Sequence, residues 1–316
     1  MPSPPDSSRI PAIYGTSFFG TKVAAADAQS FIDALVRTGG SRLDTAQRYG
    51  NGASENVLVG LNLGNCTVDT KIFPTPPDGF SSAAVRDSVE RSRALFAEHG
   101  LKINVLYLHA PDRETSIEGT LEALNEAHRA GAFEELGLSN FYAWEVGEIV
   151  GYARAKGWVA PSVYQGQYNA IDRTVEEELF PCLKKYNMRF AAYSPLAGGI
   201  LTTAYLSDPE MIRTNPRFQH PRYKDRYTTA IEKLRGIREL TESKGITIEE
   251  AATRWLVHHS ALRASDHGIL YGASKVGQLE TSLANHAKDP LPEDIVTALE
   301  DLWVNELKGK TPTYAL

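Results

Sequence analysis

The chain has 316 residues, 42% hydrophobic and 23% charged, an ordinary globular composition with ample material for a large core. A net charge of −6 supplies no basic footprint for nucleic acid or an anionic membrane, and no apolar run reaches membrane-spanning length. Two cysteines, Cys66 and Cys182, are too few for a disulfide framework or a metal cluster, which fits a reducing, cytoplasmic setting.

The opening Met1-Pro2-Ser3-Pro4-Pro5-Asp6 lacks the basic and apolar segments of a secretion signal. Residues 1–9 are therefore expected to be a disordered tail before one domain covering 10–316. Ile13 to Thr16 reads as a first strand. Asp27 to Val36 follows with Phe31, Leu35 and Val36 on a helical face, stopped by Gly39-Gly40. Ser41-Arg42-Leu43 is a second strand. Beyond it come Asp44-Thr45-Ala46-Gln47-Arg48-Tyr49-Gly50, a break at Asn51-Gly52 and a helix from Ser54. Thr67 to Ile72 is strand three, Ser81 to Glu98 an amphipathic helix ending before Gly100, and Ile103 to Leu108 strand four.

Thr115-Ser116-Ile117-Glu118 has capping-box spacing and opens a helix closed by Gly131. Phe133 to Leu138 leads to Ser139-Asn140 and a helix through Trp144 and Ile149. Ser162 to Gln165 is strand six, Val175 to Tyr186 a helix, and Arg189 to Tyr193 strand seven. Thr247 caps a helix through Trp255. His267 to Tyr271 is the last strand, with a helix starting near Ser274, and Ile295, Leu299 and Leu302 form a final helical face.

This strand–helix alternation predicts a parallel sheet with crossover helices. Asp44, Lys71, His109, Asn140, Gln165 and Tyr193 stand at successive strand ends, separated by 27, 38, 31, 25 and 28 residues, about one βα unit each. An eight-stranded (β/α)8 TIM barrel, with extra C-terminal helices and long loops at its C-terminal face, brings those ends together where such barrels do chemistry. A doubly wound open sheet is the alternative, but no G-x-G-x-x-G follows the first strand. Gly20-Thr21-Lys22 lacks the Gly-Lys-Ser/Thr order of a P-loop.

Each polar residue has a plain structural reading as well. Asp44 suits a turn or helix cap, Tyr49 half-buried packing, Lys71 a solvated surface and His109 a turn. Together at one rim they permit acid chemistry. A phenol with an ordinary pKa of about 10 is brought nearer neutrality by an ammonium, a carboxylate fixes that ammonium, and a histidine orients a carbonyl oxygen. That set protonates a developing alkoxide without a nucleophile or metal. The adjacent pair His258-His259 has poor spacing for a metal site.

Asp44, Tyr49, Lys71 and His109 resemble the catalytic tetrad of the aldo-keto reductases. The resemblance extends over Leu43 to Ala46 with Tyr49-Gly50, over Gly137 to Phe141, over Tyr164-Gln165 and over Tyr193 to Gly199. Leu108 to Asp112, Phe133 to Asn140 and Glu178 to Leu183 are similar to the aflatoxin-aldehyde reductase branch. It implies NADP(H)-dependent reduction of aldehydes or ketones and a possible homodimer. Ser139, Asn140 and Gln165 would hold the nicotinamide carboxamide, with Tyr193 stacked on the ring. Ser194, Pro195, Leu196, Gly198 and Leu201 would surround the pyrophosphate. Gly272, Ser274, Lys275 and Gln278 would take the adenosine phosphate, with Arg217 closing over it. Gln278 stands where some relatives carry arginine, and Thr281 and Ser282 where a Glu-Asn pair is common. Leu316 ends the chain where the branch often has an arginine for a substrate carboxylate. The same barrel and tetrad also resemble potassium-channel β-subunits, a cofactor-binding regulatory alternative with little turnover.

Overall fold

The computed structural model describes residues 9–208, 210, 214, 230–311 and 313–316. Eight strands close a barrel in sequence order, every neighbouring pair parallel. They are β1 (Ala12–Gly15), β2 (Arg42–Asp44), β3 (Thr67–Ile72), β4 (Ile103–Leu108), β5 (Phe133–Ser139), β6 (Val163–Gln167), β7 (Arg189–Tyr193) and β8 (Gly268–Gly272). Helices α1 (Ala25–Arg37), α2 (Ala53–Val59), α3 (Ser82–Glu98), α4 (Ile117–Arg129), α5 (Ala143–Lys156), α6 (Leu179–Tyr186) and the short α7 (Thr203–Ser207) connect them. Further helices span Ile231–Glu242, Ile248–His258, Val276–His286 and Glu293–Leu302. No helix among the described residues is long and apolar enough to cross a membrane.

A (β/α)8 barrel has two apolar compartments, and strand periodicity sorts side chains between them. Tyr14, Leu43, Leu106, Leu108, Leu138 and Tyr164 join the large core that includes helix residues such as Phe31, Leu35, Val89, Phe96 and Leu124. A separate cluster of Ile13, Ala191 and Leu270 lies with Tyr193, and another holds Val105, Tyr107 and Val163. Tyr107 fits because its neighbour in register is Gly137, where an added Cβ would stand 2.3 Å from the Tyr107 ring. The ladder between β3 and β4 shifts register at Asp69, and the Asp69 carboxylate accepts the Val105 N–H there, at 3.2 Å.

Several element ends depart from the sequence-based expectations. Val36 faces solvent at 39% exposure while Phe31 and Leu35 are buried, so the inner stripe of α1 is narrower than its apolar residues suggest. Ser116 is the N-cap of α4 but makes no side-chain capping bond, so the capping-box spacing there is not used. The helix expected from Val175 begins at Leu179. Ser81 and Thr247 do cap their helices, accepting from Ala84 N at 3.3 Å and Glu250 N at 3.2 Å. Residues 1–8 of the expected tail lie outside the described residues; Arg9 donates to Ala287 O at 3.2 Å.

Candidate active site

In register, Asp44 at the end of β2 stands opposite Asp69 on β3, so Lys71, two residues on, rises on the same face beside Asp44. The Lys71 ammonium is fully buried and donates to Asp44 Oδ1 at 2.6 Å and to the Thr45 carbonyl at 2.7 Å. Gln165 Nε2 donates to the other Asp44 oxygen at 2.8 Å. Burial alone favours a neutral Asp44 carboxyl, but both its oxygens accept from N–H donors, an arrangement that suits the ionised form. Burial also pushes the Lys71 ammonium down, yet Asp44 and Tyr49 outweigh it, and its pKa lies above the ordinary lysine value. The lysine is therefore a fixed cation.

Tyr49 reaches this cation by way of an unusual turn. Gly50, Asn51 and Gly52 all have positive φ, 58°, 53° and 91°, which turns the chain sharply into α2 and leaves the phenol over Lys71. Lys71 Nζ lies 5.0 Å from the Tyr49 ring centroid. The sequence leads one to expect a phenol shifted towards neutrality. The net shift is upward instead, because burial outweighs the opposing pull of Lys71. Tyr49 is thus protonated, with a fixed cation beneath its ring.

His109 stands edge-on to Tyr49, ring centroids 5.8 Å apart at 86°, and edge-on to Phe73 at 5.7 Å and 84°. Burial, then the positive charges of Lys71 and Arg48, push the His109 imidazole down to about 3, so it is neutral at ordinary pH. Its buried Nδ1 has no hydrogen-bond partner among the described residues. The arrangement offers a neutral imidazole and a protonated phenol facing one space over an ammonium.

Ser139, Asn140, Gln165 and Tyr193 gather at the same rim. Asn140 has positive φ of 67°, and its amide nitrogen donates to the His109 carbonyl and to Ser139 Oγ, both at 2.9 Å. Its Oδ1 accepts from the Tyr193 hydroxyl at 2.9 Å. Asn140 thus ties β4, β5 and β7 together, a role that residue type alone did not reveal. Ser194, Ala197, Gly198 and Gly199 also have positive φ, so the loop after β7, through Pro195, Leu196 and Leu201, is a series of tight turns. Past β8 and Gly272, three donors converge on one oxygen. Gln278 Oε1 accepts from Ser274 N and Lys275 N at 3.2 Å and from Ser274 Oγ at 3.4 Å. Thr281 bonds back to the Gly277 carbonyl at 2.8 Å. Arg217, with Arg222, Lys224 and Arg226, lies outside the described residues. His258 and His259 each engage main-chain groups, Lys288 O at 2.7 Å and Leu291 N at 3.0 Å.

Sequence reading missed three supports of the site. The Thr45 carbonyl under Lys71 is a main-chain group and leaves no side-chain signal. Glu55, nearly fully buried on α2, accepts from Thr70 Oγ1 at 2.6 Å and Ser92 Oγ at 2.9 Å, locking β3 just before Lys71. The Ser-Glu pair after the Gly-Asn-Gly turn was its only trace. Residues 314–316 fold back onto the connection from β5 to α5: Leu316 N donates to Asn140 O at 3.0 Å, and the Tyr314 hydroxyl accepts from Ala143 N at 2.9 Å.

Comparison with known proteins agrees with this geometry. The profile of the Aldo/keto reductase family matches residues 11–304. Aflatoxin B1 aldehyde reductase member 2 of Mus musculus is 36% identical over 99% of this chain and 91% of its own length. The Homo sapiens protein of that name is 37% identical over 95% of this chain and 88% of its own. An aldo-keto reductase of Pseudocercospora fijiensis is 37% identical over 90% of this chain and 99% of its own. With the closed barrel and the cluster at its rim, these matches show that the chain belongs to the aldo/keto reductase family, a family of oxidoreductases.

Proposed function

We propose that the protein reduces aldehydes and ketones to alcohols, with NADPH as the hydride source and Tyr49 as the proton donor. The observation that carries this reading is the buried Lys71 ammonium, held by Asp44 and the Thr45 carbonyl beneath the Tyr49 ring. The names of the aflatoxin B1 aldehyde reductases support an aldehyde as substrate.

Bound NADP(H) supplies a hydride to the carbonyl carbon. Tyr49 gives its proton to the carbonyl oxygen, and Lys71 stabilises the phenolate left behind. Asp44 keeps Lys71 charged and in position. Neutral His109 orients the carbonyl oxygen by hydrogen bonding rather than by charge.

The rim residues fit such a cofactor by the chemistry of their donors and acceptors. Gln165 uses its amide nitrogen on Asp44, leaving its carbonyl oxygen for a carboxamide N–H. Ser139 and Asn140 stand beside it, and Tyr193 offers an aromatic face. The turns from Ser194 to Leu201 close on their own carbonyls, Ala197 N on Ser194 O and Gly199 N on Leu196 O, and Gly198 and Gly199 at positive φ leave no Cβ in the way of a phosphate that approaches the main chain. The Ser274 and Lys275 donors now closing on Gln278 would serve an anionic phosphate equally well, with Lys275 adding charge at a helix start. Arg217 remains a candidate to close over that phosphate.

Multiple-turnover NADPH oxidation with 4-nitrobenzaldehyde tests the reading. Sustained turnover is expected; oxidation that stops at one equivalent would favour a cofactor-binding regulatory module. The kcat/KM for NADPH should exceed that for NADH by roughly tenfold to a few thousandfold, from one or two charge-assisted contacts of about 1.5–3 kcal/mol each. Lys275→Glu should shrink that preference, and an unchanged preference would move the phosphate site to other residues.

A further inference from the structure

Three basic side chains come from loops at the carboxyl ends of the first, second and fourth strands, and they differ in what they touch. Arg113, four residues after His109, is fully engaged. Its guanidinium makes a two-pronged contact with Glu145, at 2.8 and 3.3 Å, and donates to the Leu316 main-chain oxygen at 2.8 Å. Lys22 lies over Phe18, 5.1 Å from the ring centroid. Arg48 is exposed, and among the described residues no carboxylate pairs with it. Its guanidinium carbon stands 4.0 Å from the centroid of Phe73, the same ring that abuts His109.

Contact with the Phe73 ring braces the guanidinium while its N–H donors have no partner among the described residues, a state in which an arginine can receive a carboxylate. Arg48 immediately precedes Tyr49, and its charge is felt at His109, where it helps depress the imidazole pKa. A positive charge that reaches His109 also reaches a carbonyl compound bound between His109 and Tyr49. Leu316, whose main chain bonds Asn140 and Arg113, brings an apolar side chain.

Resting on the carbonyl-reductase reading above, we infer that Arg48, braced by Phe73, is a specificity-determining residue that selects aldehydes and ketones carrying a carboxylate or other anionic group. The carbonyl end of such a substrate faces Tyr49 and His109, and its anionic end meets the unpaired guanidinium. The negative net charge of the whole chain makes this local cation more telling, since it opposes the protein's general field.

The test compares 4-carboxybenzaldehyde with its methyl ester, an uncharged partner of the same aromatic frame, in wild type, Arg48→Gln and Arg48→Lys. Wild type is expected to favour the acid in kcat/KM. Arg48→Gln should lower the acid-to-ester ratio roughly tenfold to a hundredfold, the range of one charge-assisted contact, with the change in KM for the acid. Arg48→Lys should recover part of the ratio, and added salt should erode it in wild type. A wild-type ratio near one, or a ratio unchanged in Arg48→Gln, would overturn the assignment. If neither aldehyde is turned over, the reductase reading itself fails, and the anion site is then read by calorimetric titration with terephthalate. Binding to wild type that weakens tenfold or more in Arg48→Gln upholds the site; equal binding, or none to either protein, overturns it.

Discussion

Two buried carboxylates stand opposite each other in register, Asp44 on β2 and Asp69 on β3, and their surroundings differ in kind. Asp44 faces the rim and shares one cation, Lys71, with the half-buried phenol of Tyr49. Asp69 belongs to a closed layer. It receives His267 Nε2 at 2.6 Å, Asn104 Nδ2 at 2.8 Å and Val105 N at 3.2 Å. Arg42 contacts the His267 carbonyl, and an Arg189–Glu135 ion pair bridges β7 and β5. Tyr107 Oη and His267 Nδ1 are buried there without partners among the described residues. The same chemistry of carboxylate and nitrogen cation or imidazole thus serves two ends: near the mouth it fixes a cation under a phenol, and inside it bridges a register shift. Access to a substrate, rather than residue type, separates them.

Substitutions at the two carboxylate layers should therefore fail in different ways. Lys71→Met, the largest expected effect, should cut turnover by about 10²–10⁴, the usual worth of a positioned general acid, because the phenolate loses its cation. Its pH–rate profile should also move, and a profile identical to wild type would remove Lys71 from the tuning role. Asp69→Ala should instead cost about 3–5 kcal/mol of stability, since it strands two buried donors, His267 Nε2 and Val105 N, and the partly buried Asn104 amide, while the folded fraction keeps its kcat. Denaturant unfolding with active-site titration separates these outcomes; a lost kcat at unchanged stability would join the two layers into one function.

The smallest effect concerns acid. His109 refuses a proton until about pH 3, whereas the unfolded chain accepts one near 6.5. Its contribution to stability is therefore complete above pH 6.5 and is lost as pH falls from there towards 3. His109→Gln should flatten the decline of Tm over that window, and an equal slope in both proteins would assign the acid sensitivity to other groups. Across pH 5 to 8 the kcat/KM of wild type should show no histidine titration.

The barrel was legible because eight βα units repeat, and six strands, β2 to β7, end at or beside a polar residue where the apolar run stops. That Asp44, Lys71 and His109 come together was legible for the same reason: they mark three successive strand ends. Asp69 was not, since nothing in Thr67 to Ile72 shows that the ladder slips there or that His267, far along the chain, supplies its partner. The sequence reading of Asn140 as a cofactor ligand gives no sign that its amide also bonds groups at three strand ends. The direction of the Tyr49 shift was also missed, because the depth of burial that outweighs Lys71 depends on the turn through Gly50, Asn51 and Gly52.

The most direct test of Tyr49 as proton donor is the single-turnover rate of hydride transfer in wild type and Tyr49→Phe, each with NADPH and with its 4-deuterated form. Removing the hydroxyl while keeping the ring should leave cofactor affinity intact and slow transfer by about 10²–10⁴, with the isotope effect fully expressed. A Tyr49→Phe protein that transferred hydride at the wild-type rate, with the isotope effect showing that step to be limiting in both, would contradict the assignment.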